Sequence, residues 1–260
     1  MSRMRTSTGS APLVGEHARP FHAGTGRVGV LFCHGFTGSP WSLLEWARLT
    51  ADAGYRVSLP RLPGHGTTWQ ELNVTGWRDW YAEVERAYRK LRAECDTVFA
   101  AGLSMGSALA LRLAEKHPDE LAGLVLVNPA VLGYPKMRAI PVLHRLVPSA
   151  RAIGSDVASP GVDEYAYPRT PLRAANSMMK LWFEVRACLD LVSCPLLVFR
   201  SATDHVVPAA STAFVLSHVS SDEITERVLP RSYHVATMDY DKEQIFSESL
   251  EFFARHSPSA

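Results

Sequence analysis

Residues 97–116 dictate a tight junction between a buried strand and a helix. The apolar run Thr97-Val98-Phe99-Ala100-Ala101 enters Gly102-Leu103-Ser104-Met105-Gly106, and a helical pattern from Ser107 to Lys116 leaves it. A serine in such a turn takes up a strained backbone conformation. Strand and helix then lie so close that side chains two residues before and two after the serine would clash, so glycine is required at both places. The helix that follows aims its first N–H groups, and its positive dipole end, at whatever sits on the serine oxygen. A plain tight turn is the competing reading; the strand and helix on either side favour an exposed nucleophile.

The same rhythm runs through the chain. Arg27 to Cys33, Tyr55 to Leu59, Leu121 to Val127 and Pro195 to Arg200 are short apolar runs that read as strands buried on both faces. A helix capped by Ser39, with Pro40 at its first position, closes near Gly54; a longer one starts near Thr75 with Trp77, Trp80, Val84 and Leu91 at helical spacing. After the fifth run come a helix over about Ala209 to His218, a strand near Ile224 to Leu229 and a last helix over about Lys242 to Arg255. Ala18 to His22 reads as a short edge strand. Strand–helix alternation of this kind argues a mostly parallel, doubly wound α/β sheet.

From Ala130 to Leu191 the rhythm breaks. This stretch holds Pro135, Pro141, Pro148, Pro160, Pro168 and Pro171 and no clear strand. So long a structureless loop is out of place in a compact domain, so the stretch reads as a small helical cap inserted after the strand that stops at Asn128, with Asn176 to Asp190 as a helix. The organisation expected is a loose leader (1–17), a core (18–130 and 192–260) and a cap (131–191).

Function classes drop out on composition. A net charge of +1 with interspersed signs gives no footprint for nucleic acid. No apolar run approaches a membrane span, and residues 1–26 lack the apolar centre of a signal peptide. Cys33, Cys95, Cys188 and Cys194 form no paired motif, which suits reduced thiols in the cytoplasm. No spacing suggests a metal site, and no cofactor is implied.

An activated serine needs a base and a group that orients the base. Asp204 follows the Leu196–Phe199 run, and His234 follows the last strand; both sit where ligands bind, beyond the carboxyl ends of parallel strands. The order serine, acid, histidine fits Ser104, Asp204 and His234. Asp204 alone would pass for a turn or cap residue, and His234 for a loop histidine; their positions decide for chemistry. The oxyanion hole is expected from the Met105 N–H and the Phe36 N–H in His34-Gly35-Phe36. His34 and His65 read as loop braces, His205 as a neighbour of the acid or a surface residue, and Cys33 as a small buried hydrophobe.

Five stretches carry a family resemblance: His34-Gly35-Phe36-Thr37-Gly38, Leu62-Pro63-Gly64-His65-Gly66-Thr67, Gly102-Leu103-Ser104-Met105-Gly106, Asp204-His205-Val206-Val207-Pro208 and Ser232-Tyr233-His234-Val235-Ala236-Thr237. The chain resembles the α/β-hydrolase carboxylesterases and, within them, the bacterial monoacylglycerol lipases, from about residue 20 to 256. The resemblance implies a serine hydrolase that cleaves lipid esters, a cap with an apolar tunnel for one acyl chain, and Glu164, in the cap stretch Gly161 to Tyr167, as a glycerol-binding residue. A solvated cap carboxylate is the alternative for Glu164. A general short- or medium-chain carboxylesterase or thioesterase without glycerol recognition is the alternative for the whole chain. Met137 to Val147 is expected to pack on the core as a cap helix, with transient membrane contact as the rival. The sequence leaves open whether the protein is a monomer or a dimer.

Overall fold

The computed structural model describes residues 15–258; most of the expected leader, residues 1–14, lies outside them. Strand β1 (Phe21–Ala23) runs along the edge of a seven-stranded sheet, followed by β2 (Val28–Cys33), helix α1 (Trp41–Asp52) and β3 (Arg56–Leu59). Then come α2 (Trp69–Leu72), α3 (Trp77–Glu94), β4 (Thr97–Leu103), α4 (Met105–Lys116) and β5 (Gly123–Val127). The excursion carries α5 (Ile140–Leu143), β6 (Ser149–Arg151), β7 (Arg169–Pro171) and α6 (Leu172–Arg186). The chain finishes with β8 (Leu196–Ser201), α7 (Ala209–His218), β9 (Ile224–Leu229) and α8 (Lys242–His256).

The sheet order is β1-β3-β2-β4-β5-β8-β9, with β1 antiparallel and every other pair parallel. The strand that leads into Ser104, β4, is therefore the central one. Alternate residues of each inner strand feed two cores. Leu31, Val98, Ala100, Leu124, Leu126 and Val198 face the side covered by α3, α4 and α6. Val30, Phe99, Ala101, Val125, Val127 and Phe199 face the side covered by α1 and α8. Apolar residues on both faces of each strand are what made those runs continuous rather than alternating.

The structure departs from the sequence reading in several places. The edge strand expected over Ala18 to His22 runs instead over Phe21–Ala23, behind a single helical turn at Glu16–Ala18. Pro40, not Ser39, is the residue preceding α1, and Ser39 Oγ receives the Trp41 N–H only loosely, at 3.4 Å. The four-residue helix α2, capped by Thr68, was not expected. The excursion holds, besides helices, a two-stranded antiparallel ribbon of β6 and β7. The helix expected over Asn176 to Asp190 starts earlier, at Leu172 behind Pro171, and stops at Arg186; Leu189–Leu191 is a separate single turn. Helix α6 packs on α3 and α4 and against the β6–β7 ribbon.

Candidate active site

The turn after β4 is as tight as its composition demands. Ser104 sits at φ +57°, a left-handed conformation that costs a side-chain-bearing residue of order 1–3 kcal/mol. A Cβ on Gly102 would lie 2.5 Å from the Gly106 and Ser107 backbone, and one on Gly106 would run into the Cys33 carbonyl. Backbone bonds hold the turn: the Ser104 N–H donates to the Val127 carbonyl at 2.9 Å, and the Ser104 carbonyl accepts from Ser107 at 3.0 Å and Ala130 at 3.2 Å. Met105 is the first residue of α4, so its N–H has no intrahelical partner to donate to.

Asp204 and His234, 30 residues apart, meet directly. His234 Nδ1 lies 2.7 Å from Asp204 Oδ2, while Asp204 Oδ1 accepts the N–H groups of Val206 (2.8 Å) and Val207 (2.7 Å). Burial opposes ionisation of Asp204, but the imidazole and the two N–H donors outweigh it and hold its carboxyl below the ordinary value. An ionised acceptor there makes Nδ1 the protonated nitrogen and leaves Nε2 with its lone pair. Burial also opposes a charged His234. The carboxylates of Asp204, Glu164 and Asp156 outweigh this and raise its pKa above 6.5. Asn128, at the end of β5, donates to the His234 carbonyl at 2.8 Å and to Ser201 Oγ at 3.0 Å, and Ser201 Oγ donates to the Tyr233 carbonyl at 2.8 Å. The histidine loop is thereby tied to the ends of β5 and β8.

Ser104 and His234 open into one cavity of about 490 Å³, within the range of ligand sites. Its wall is largely apolar: Met137, Ile140, Leu143, Val147, Met178 and Trp182 contribute, together with Gly35 and Phe36 from the loop after β2. That loop is braced by neutral histidines. His34 Nδ1 donates to the Gly35 carbonyl at 3.0 Å and its Nε2 accepts the Leu62 N–H at 3.2 Å. Burial pushes the His34 imidazole down to about 4 and that of His65 well below its ordinary value. His65 packs edge-on against His34, Phe36 and Trp80, as a loop brace should.

Glu164 also lines this cavity. At 7% exposure it is buried, and burial pushes its carboxyl up to about 7 despite the pull of His234. Its backbone is held by Ser155 Oγ, which accepts the Glu164 N–H at 3.0 Å, and by the neighbouring Tyr165, itself at φ +56° and stacked on His17. His205, whose side chain is 53% exposed, pairs with Asp156, a residue the sequence did not single out. No local pattern marks Asp156; its partners are about 50 and 78 residues away. Cys33 is fully buried, with its thiol pushed up to about 12. Among the described residues, no cluster of three or more His, Cys, Asp or Glu is placed to hold a metal ion, and no helix is long and apolar enough to cross a membrane. The expected packing of 137–147 fails in part: only Ile140–Leu143 is α-helical, and Val142, Leu143, Leu146 and Val147 remain exposed.

Known proteins are similar to this one along almost the whole chain. The thermostable monoacylglycerol lipase of Bacillus sp. (strain H-257) is 45% identical over 92% of this chain and 96% of its own length. A carboxylesterase of Bacillus subtilis (strain 168) is 26% identical over 91% of this chain and 96% of its own length. A solved structure from work on LipS and LipT, two metagenome-derived lipolytic enzymes, superposes with a TM-score of 0.91 at 39% identity, covering 94% of this chain and 100% of that one. The monoglyceride lipase of Saccharomyces cerevisiae shares the fold, with a TM-score of 0.76 at 16% identity. The profile of the hydrolase 4 family, described as serine aminopeptidase, S33, matches residues 25–241, and the chain belongs to that family of α/β-hydrolases.

Proposed function

We propose that the protein is a serine hydrolase that cleaves monoacylglycerols to glycerol and fatty acid. The observation that carries this is one mainly apolar cavity lined by Ser104, the Asp204-bound His234 and the buried carboxyl groups of Glu164 and Asp156. The 45% identity to a monoacylglycerol lipase supports the same reading.

In this mechanism Ser104 Oγ attacks the ester carbonyl while His234 Nε2 takes its proton. Asp204 holds the ring and stabilises the imidazolium. The N–H groups of Phe36 and Met105 bind the oxyanion, each worth roughly 3–4 kcal/mol in the transition state. The C–O bond to glycerol breaks as His234 returns the proton to the leaving oxygen. Water, deprotonated by His234, then cleaves the acyl-enzyme and restores Ser104. Apolar residues of the cavity take the acyl chain, and Glu164 accepts hydrogen bonds from glycerol hydroxyls. Residues 131–191 act as the cap over Ser104. The exposed apolar residues Val142 and Leu146, flanked by Arg138 and Arg145, touch a lipid surface transiently during substrate uptake. Four free cysteines support a cytoplasmic setting.

The test is hydrolysis of 1-monoacylglycerols of increasing chain length against methyl esters and diacylglycerols with the same acyl groups, with an aminoacyl anilide included because of the family's description. Faster cleavage of monoacylglycerol than of its methyl ester supports glycerol recognition. Equal rates would make the protein a general carboxylesterase, and preferential anilide cleavage would overturn the ester reading. Ser104→Ala is expected to fold and to be inactive; retained activity would refute the mechanism.

A further inference from the structure

Asp156 is 8% exposed, and its carboxylate joins the loops that follow the paired strands β8 and β9. Oδ2 accepts the His205 N–H at 3.1 Å and the His234 N–H at 3.2 Å, while Oδ1 lies 2.8 Å from His205 Nδ1. The Asp156 carbonyl accepts the Val235 N–H at 3.0 Å. One residue of the excursion thus holds the residue after Asp204 and both His234 and its successor. A second carboxylate completes the stitch from the other side. Asp239 accepts the N–H groups of Ala158 (2.7 Å), Ser159 (3.0 Å) and Tyr233 (2.9 Å). Segment 156–159 is therefore fastened to the histidine loop by two carboxylates reaching in opposite directions.

We propose that Asp156 is a positioning residue for hydrolysis: it fixes the loops of Asp204 and His234 against each other, lends His234 negative charge, and keeps segment 156–159 seated while substrate enters. This rests on the reading of Ser104, Asp204 and His234 as the hydrolytic centre. A buried carboxylate costs several kcal/mol if left unpaired; two backbone N–H groups and the His205 ring satisfy this one. A displacement of the histidine by about 1 Å costs on the order of 10²-fold in rate. Asp156, Asp204 and Glu164 are the carboxylates that favour a charged His234, against the desolvation of its ring.

Asparagine and alanine separate the two contributions. In Asp156→Asn the carboxamide oxygen accepts both backbone N–H groups, and its NH₂ donates to the other tautomer of His205, so geometry is kept and charge is lost. Asp156→Ala loses both. The experiment measures kcat, KM, melting temperature and the pH profile of kcat/KM on a soluble short-chain monoacylglycerol, together with labelling of Ser104 by a fluorophosphonate. Asp156→Ala is expected to lose about 10²-fold in kcat with KM little changed. Asp156→Asn is expected to recover most of that loss, with the acidic limb of the profile moved to lower pH. Wild-type kcat in Asp156→Ala, or an asparagine variant no better than alanine, overturns the proposal. If the alanine variant does not fold, the asparagine variant decides: an acidic limb displaced downward supports the proposal and an unmoved limb refutes it. Failure of the wild-type protein to label at Ser104 would refute the underlying reading instead.

Discussion

Replacing Glu164 by glutamine should make the protein more stable in base, against the usual consequence of removing a buried functional group. Its carboxyl is forced from an ordinary 4.5 up to about 7, first by burial, with Asp163 and Asp156 adding repulsion and His234 opposing. A carboxyl whose folded pKa is raised binds its proton more tightly folded than unfolded. The folded state therefore loses stability as pH rises from about 4.5 through 7, and the loss is complete above that. The distance between the two values is worth roughly 3 kcal/mol. Glutamine keeps the shape and cannot ionise. Whatever it costs in hydrogen bonds is the same at every pH, so the pH dependence of the difference isolates the charge. Differential scanning calorimetry of both proteins from pH 4 to 9 is the assay. The melting temperature of Glu164→Gln relative to wild type should climb by roughly 6–12 °C across that range for a chain of this size. A difference that stays flat would mean that the carboxylate is well solvated inside the cavity, and would refute both the desolvation argument and the near-neutral titration built on it.

Three further outcomes follow from the geometry. The kcat/KM profile should fall on its acidic side through a value above 6.5, because the carboxylates around His234 raise its pKa and only the neutral ring takes the Ser104 proton. The stabilisation of that raised histidine is correspondingly full below 6.5 and lost as pH rises through the higher value. Gly106→Ala should destabilise the fold by roughly 3 kcal/mol or more in urea titration, since its methyl group would overlap the Cys33 carbonyl in β2 with no flexible side chain to yield. Val142→Asp with Leu146→Asp should lower hydrolysis of monoacylglycerol presented in anionic vesicles while leaving a soluble short-chain ester unaffected, because Leu146 is 75% exposed and neither side chain belongs to the core.

Elements that bury both faces or follow a glycine–proline punctuation were readable from the chain itself. The bounds of α7 and β9 agree with their sequence reading, and the strand and helix around Ser104 agree to within two or three residues. Asp204 and His234 were legible because their positions after β8 and β9 carry the information, not their immediate neighbours. The ribbon of β6 and β7 was not, since strands of three residues are too short to show alternation and Pro171 argues against one of them. Helix α2 is a single turn, below the length at which a 3.6-residue period can be seen. Asp156 was invisible for another reason: besides the His205 ring, its partners are backbone N–H groups on loops remote in sequence, and a backbone donor leaves no residue type to recognise.

Helix α6 serves two masters. Leu181 and Val185 lie in the core beneath it, while Met178 and Trp182 belong at once to that core and to the wall of the cavity. Selection on acyl-chain length through these two positions would be coupled to selection on folding, because enlarging the cavity there removes side chains that the sheet also relies on. Leu143, Val147 and Ile153 border the same cavity from the other side and remain exposed. Changes among them leave the core intact. Divergence in substrate length among relatives of this protein should therefore accumulate at Leu143, Val147 and Ile153, with α6 evolving slowly as a fixed back wall.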